Sequence, residues 1–188
     1  NPGLQKYGGD LAIGAFGIVN RLVFIVVMIV MGLNQGMQPI AGYNFGAKLY
    51  GRVNKVLRLT IIYATAVTTF GFLVGMLVPD LVVGIFTSDA ELTELSVTGL
   101  RITVMFFPII GFQMVTSNFF QSIGMAGKAI FLSLTRQMLI LLPCLLVLPQ
   151  FFGVAGVWYS MPVSDLLASL IALVMLVCQF RKFRTSPL

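Results

Sequence analysis

The sequence predicts an all-α fold, a polytopic membrane helix bundle that crosses the bilayer five times. Hydrophobic residues make up 58% of its 188 positions and charged residues only 10%, against about a quarter in soluble domains. Long apolar runs recur along the whole length, each near or above the roughly 20 residues that a bilayer requires. The charges fall mainly between those runs. The net charge of +6 is therefore better explained by membrane topology than by nucleic acid, whose binding domains gather basic residues on one folded face. The chain has no histidine, its two cysteines, Cys144 and Cys178, lie inside apolar runs without metal-ligand spacing, and no nucleophile has a recognisable base. An enzyme, a cofactor and a bound metal are not expected, and the cysteines read as small buried hydrophobes.

Asn1 to Asp10 is polar and glycine-rich, with Asp10 placed to cap a helix from Leu11. No secretory signal precedes the first apolar run, so the chain reads as a piece of something longer. The first span covers about 11–42 and is long enough to tilt, bend or protrude, with Pro39 supplying a bend. Lys48, Arg52, Lys55 and Arg58 follow at spacings of three to four and predict a short surface helix. The second span, about 59–79, carries Thr60, Thr65, Thr68 and Thr69, whose hydroxyls can bond back to their own helix. The loop after it holds Asp80, Asp89, Glu91 and Glu94. It lacks the alternating ligand spacing of a calcium loop and reads as a solvated outer loop.

The third span, about 95–121, contains Pro108. Gly124 to Lys128 lacks the Gly-Lys-Ser/Thr context of a phosphate loop and reads as a turn. The fourth, about 129–148, carries Arg136 and Gln137 early and Pro143 near its middle, and Gln150 to Gly153 forms a short outer connection. The fifth, about 154–180, is kinked near Pro162 and ends at Arg181, Lys182 and Arg184. Alternating sides put nine basic residues at or near one face: Lys48, Arg52, Lys55, Arg58, Lys128, Arg136, Arg181, Lys182 and Arg184. Lys6, Arg21 and Arg101 remain outside or embedded. The positive-inside rule makes the basic face cytoplasmic, with the C-terminus inside and residue 1 on the outer side of a plasma (inner) membrane.

Three polar features interrupt the apolar runs. Gly32 to Ala47 is amide-rich and uncharged. Such groups are costly against lipid and should face protein or a watery cavity. Two readings stand: a transport pathway, or close helix packing through Gly32, Gly36, Gly42 and Gly46 with the amides as interhelical glue. Helical spacing aligns Asn20, Phe24, Met28, Met31, Gln35 and Gln38 on one stripe, which either offers a lipophilic cation aromatic faces, soft sulfur and amides or serves ordinary helix packing. Gln113, Ser117 and Gln121 recur every four residues on another, joined by Asn118, and could line a cavity opposite the first helix. Asp165 is the one acid inside an apolar run. An intramembrane carboxylate is expensive, so it either couples transport or forms a fixed ion pair, with Arg136 or Arg21 as partner.

The run Asn34-Gln35-Gly36-Met37-Gln38-Pro39, followed by Gly42-Tyr43-Asn44-Phe45-Gly46-Ala47 and a basic segment, resembles the second helix of the C-terminal lobe in multidrug and toxic compound extrusion (MATE) transporters. Gln121-Ser122-Ile123-Gly124, Ser133-Leu134-Thr135-Arg136-Gln137 and Gly153-Val154-Ala155-Gly156-Val157-Trp158 resemble later parts of the same lobe, so the likeness covers nearly the whole chain. It implies that residues 1–188 are five spans of a six-helix lobe, without its first helix and without the N-terminal lobe. It further implies a two-lobed antiporter that exports organic cations and drugs in exchange for H+ or Na+ through a cavity opening alternately to each side. Some family members carry a membrane-embedded carboxylate in the helix matching the third span, which here has none. Two rivals stand beside this expectation. A lipid-linked precursor flippase of the same fold superfamily would favour a strongly cationic cavity, and a non-transporting fragment or assembly module would occur without a partner lobe.

Overall fold

The computed structural model describes the backbone from Pro2 to Thr185 and side chains at 10–153 and 155–181. The described residues form eight α-helices and one π-helical segment. Helix α1 (Pro2–Gly46) runs through Pro39 without a break. Helix α2 spans Tyr50–Leu77, and α3 is a short piece at Pro79–Gly84. The third span is a broken pair, α4 (Ala90–Val104) and α5 (Phe107–Ser122), set at 54° to each other. Helix α6 (Ala126–Leu134), the π-helix Thr135–Leu141 and α7 (Leu142–Phe152) form one long apolar rod, and α8 covers Val154–Thr185. Among the described residues, four helices or rods are individually long and apolar enough to cross a membrane, and the broken pair passes the same test only when its two pieces are taken together.

Several local expectations need correction. Asp10 lies within α1, which begins at Pro2, so it caps nothing. The basic residues 48–58 do not build a separate surface helix; all but Lys48 belong to α2, whose first turns they occupy, because no helix breaker separates them from the apolar run. The acidic loop is partly helical. Pro79 starts α3 at a position that needs no N–H, and the Asp89 side chain accepts from the Leu92 N–H at 2.9 Å to cap α4. Cys178 is exposed on α8 rather than buried, and Cys144 is half-buried.

The helices pack into two main apolar clusters stacked along the bundle, with a small third around Ala12 and Val157. One gathers Met37, Leu57, Phe119, Phe120 and Leu176; the other gathers Val19, Leu100, Val104, Phe107 and Trp158. Glycines permit the tightest crossings. A Cβ at Gly111 would stand 2.8 Å from the Ala64 carbonyl oxygen, and one at Gly99 would stand 2.5 Å from the Trp158 ring. Thr60 and Thr68 donate to Val56 and Ala64 in their own helix, which satisfies hydroxyls facing apolar neighbours. The outer surface is largely apolar, with Phe70, Leu77, Phe151 and Val174 all exposed. Such a surface suits lipid rather than water.

Candidate functional site

A polar layer lies between the two main apolar clusters. Asp165 sits seven residues after Trp158 and seven before Ala172, hence about 10 Å of helix from each cluster. Its carboxylate is buried. Arg136 meets it with Nε donating to Oδ1 at 2.8 Å and Nη2 at 2.7 Å from the same oxygen. The Asp165 side chain is 8% exposed and the Arg136 side chain 32%, so one end of the pair reaches open space. Arg21, the other partner considered, is exposed on α1, and the ion pair goes to Arg136. Arg136 is accordingly part of the bundle interior and not of the basic end.

The sequence builds this pair through a local irregularity. Pro143 has no N–H to give the preceding turn, and its ring crowds the carbonyl four residues back. The chain answers with the wide π turn at Thr135–Leu141, which carries Arg136 and Gln137. Ser164 clamps the turn from α8 by donating Oγ to the Arg136 carbonyl at 3.3 Å, while Ser169 donates back to the Asp165 carbonyl.

Two small cavities adjoin the pair. The first, about 230 Å³, is bordered by Asn20, Thr103, Arg136, Gln137, Ser164 and Asp165 together with apolar residues such as Val23 and Met161. The second, about 120 Å³, is bordered by Gln113, Ser117, Asn118 and Ser133, again with Arg136 and Gln137. Arg136 and Gln137 thus belong to both. The polar path continues where Gln38 Nε2 donates to Asn118 Oδ1 at 3.1 Å, tying α1 to α5.

The predicted residues divide accordingly. Asn20, Gln113, Ser117, Arg136 and Asp165 gather around the two cavities, and Gln38 joins them through Asn118. Phe24, Met28, Met31 and Gln35 remain on an exposed face of α1, and Gln121 is exposed at the end of α5. Sequence reasoning did not select Thr103, Ser133, Gln137 or Ser164. Ser133 and Gln137 lie three before and one after Arg136 within one apolar run, and that local density of polar groups was a signal. Asn34 is buried, and neither atom of its amide has a hydrogen-bond partner in the protein. It lies beside the exposed stripe, one turn before Gln38, on the buried face with Val30, Met37 and Ala41. Among the described residues, no three acidic, histidine or cysteine side chains converge as a metal-binding group.

The layer holds one cation, one anion and several amides, so its fixed charge sums to zero. Adding one positive charge at the carboxylate would make it net positive. The MatE family model matches residues 4–146, which takes in nearly all of α1, α2 to α6, the π turn and the start of α7. The chain belongs to the MatE family. The multidrug export protein MepA of Staphylococcus aureus (strain MSSA476) is 28% identical over 165 residues, covering 88% of this chain and 36% of its own length. The MATE multidrug transporter DinF-BH is 37% identical with a TM-score of 0.84, covering 97% of this chain and 41% of that one. An outward-facing multidrug resistance MATE family transporter of the MOP superfamily, at 18% identity and a TM-score of 0.89, shares the fold. This MatE chain is a multi-pass membrane protein that spans little more than a third of the length of the curated relatives it matches.

Proposed function

We propose that this MatE chain is part of the C-terminal lobe of a cation-coupled antiporter that exports organic cations and drugs by alternating access. The observation that carries the proposal is the charge-balanced layer built on Arg136 and Asp165 midway along the bundle, where transporters of repeated-lobe design bind substrate and coupling ion. The family membership and the multidrug exporters among its relatives support the substrate class. The exposed face of α1 bearing Phe24, Met28, Met31 and Gln35 lines the drug path against the lobe that the relatives' greater length leaves room for. Its aromatic, sulfur and amide groups attract a lipophilic cation without a fixed negative charge.

Coupling follows from the charge count. With Asp165 ionised the layer is neutral and admits an organic cation. Uptake of H+ or Na+ at the carboxylate leaves the Arg136 charge uncompensated, and a positive layer in a low-dielectric setting expels the cation toward the open side. Exchange then requires the two cations to alternate. The basic end of the bundle faces the cytoplasm, by the bias of lysine and arginine toward that side. A diphosphate-handling flippase fits less well, because Arg136 in the layer is already matched by a carboxylate.

The test is transport by the full-length protein in proteoliposomes loaded with a fluorescent organic cation. An imposed proton or sodium gradient should drive export above the rate of leakage, and export that ignores both gradients would contradict the coupling.

A further inference from the structure

A second polar feature lies far from the central layer, where the first turns of α2 meet the last turns of α8. There the helices part to leave a groove of about 630 Å³. Its polar end is made by Tyr50, Asn54, Arg58 and Arg181, and its other end by apolar residues, among them Ile62 and Val177. Tyr50, Asn54, Leu57, Arg58 and Ile61 follow one another at helical spacing on α2, so the groove runs along the helix from a cationic mouth to an apolar wall. Ile62 and Val177 are 51% and 43% exposed, which leaves that wall open to the surrounding hydrocarbon. Among the described residues, no Asp or Glu borders the groove. Five of the chain's six acidic residues, Asp10, Asp80, Asp89, Glu91 and Glu94, belong to segments at the opposite end of the bundle, and Asp165 is held by Arg136 in the middle.

We propose that this groove is a binding site for an anionic phospholipid. The guanidinium groups of Arg58 and Arg181 present forked donors that match phosphate oxygens, and Asn54 adds an amide donor beside them. The apolar wall receives the upper part of an acyl chain. Basic pockets between membrane helices at the positively charged end recognise lipid headgroups by this combination of charge and apolar contact. The apolar hollow of about 410 Å³ between α1, α2 and α4, bordered also by Phe107 of α5, has no charged residue at its rim and so cannot select among headgroups. The lipid site rests on the membrane reading alone and not on drug export, so loss of export would leave it standing.

The test uses the full-length protein, delipidated in detergent and titrated with phosphatidylglycerol or with phosphatidylcholine of identical chains, binding being read by native mass spectrometry. Phosphatidylglycerol should bind at least about tenfold more tightly. Arg58→Gln combined with Arg181→Gln should lose about tenfold in that affinity, while Lys48→Gln combined with Lys55→Gln, which removes equal charge at the same end outside the groove, should change it by less than about threefold. If the double arginine variant fails to express, Arg58→Gln alone should still lose about threefold. Soluble glycerol phosphate at millimolar concentration should not displace the lipid. Equal affinity for the two lipids, equal losses in the two double variants, or full displacement by glycerol phosphate would each overturn the proposal, the last by showing a site for free phosphate.

Discussion

Arg136 and Asp165 each depend on the other for a place in the bundle interior. Removing one partner of a buried pair leaves an uncompensated charge, at a cost of roughly 3–5 kcal/mol, whereas removing both is far milder. Arg136 keeps 32% of its side chain exposed, so screening should hold its loss near the low end, about 3 kcal/mol. Arg136→Gln and Asp165→Asn singly should therefore lower thermal stability of the full-length protein in detergent. The double variant should recover most of the loss, with a coupling energy of about 2 kcal/mol or more from the cycle. Strictly additive losses would mean that the pair contributes no net coupling. Asp165 was legible as an oddity in the sequence because an acid inside an apolar run must find a partner. The choice of Arg136 over Arg21 was not legible, since it depends on which faces of α8 and the π turn meet.

At the scale of elements, the π turn decides where Arg136 points. A π-helical turn accommodates one extra residue, so its loss would rotate the preceding segment by about 100° relative to α7. Pro143 supplies the local reason for the wide turn. In a Pro143→Ala background the turn should relax toward regular helix, and the coupling energy between positions 136 and 165 should fall toward zero. An unchanged coupling energy would mean that packing against α8, through Ser164, holds the turn without help from the proline. The apolar rods were readable from length and hydropathy alone. The break between α4 and α5 fell two residues before Pro108, where a bend had its cause in the sequence, but its size of 54° is set by packing of Phe107 and Ile110 on the second core cluster. The basic segment was read as helical, but its continuity with the second span was missed because its charges look like a separate surface segment, although nothing in residues 50–58 stops a helix.

The whole molecule has two kinds of exposed surface. Val174 on α8, 62% exposed, sits among apolar neighbours, whereas Met28 on α1, 56% exposed, shares its face with Gln35 and Asn20. Lipid covers the first kind, and the proposed drug path runs over the second. With Cys144 and Cys178 replaced by alanine, Met28→Cys in the full-length protein should react with a membrane-impermeant maleimide at a rate that changes several-fold when substrate or coupling ion is added. Val174→Cys should stay unreactive throughout. Equal and constant reactivity at the two positions would place the α1 face against lipid and remove it from the path. The exposed stripe was visible as a helical pattern, but a pattern cannot tell a lipid face from a cavity face. The structure adds that Gln38, at one end of the stripe, is half-buried and donates to Asn118.

The central claim is that one positive charge taken up at Asp165 is exchanged for one organic cation. The measurement that tests it most directly follows drug-driven release of H+ or Na+ from proteoliposomes holding the full-length protein, native or Asp165→Asn, at matched protein content. Asp165→Asn should bind the drug only weakly, because the unmatched Arg136 leaves the layer positive, and drug addition should release no coupling ion. Exchange at the native rate in Asp165→Asn would contradict the claim and leave the Arg136–Asp165 pair as a brace between the π turn and α8.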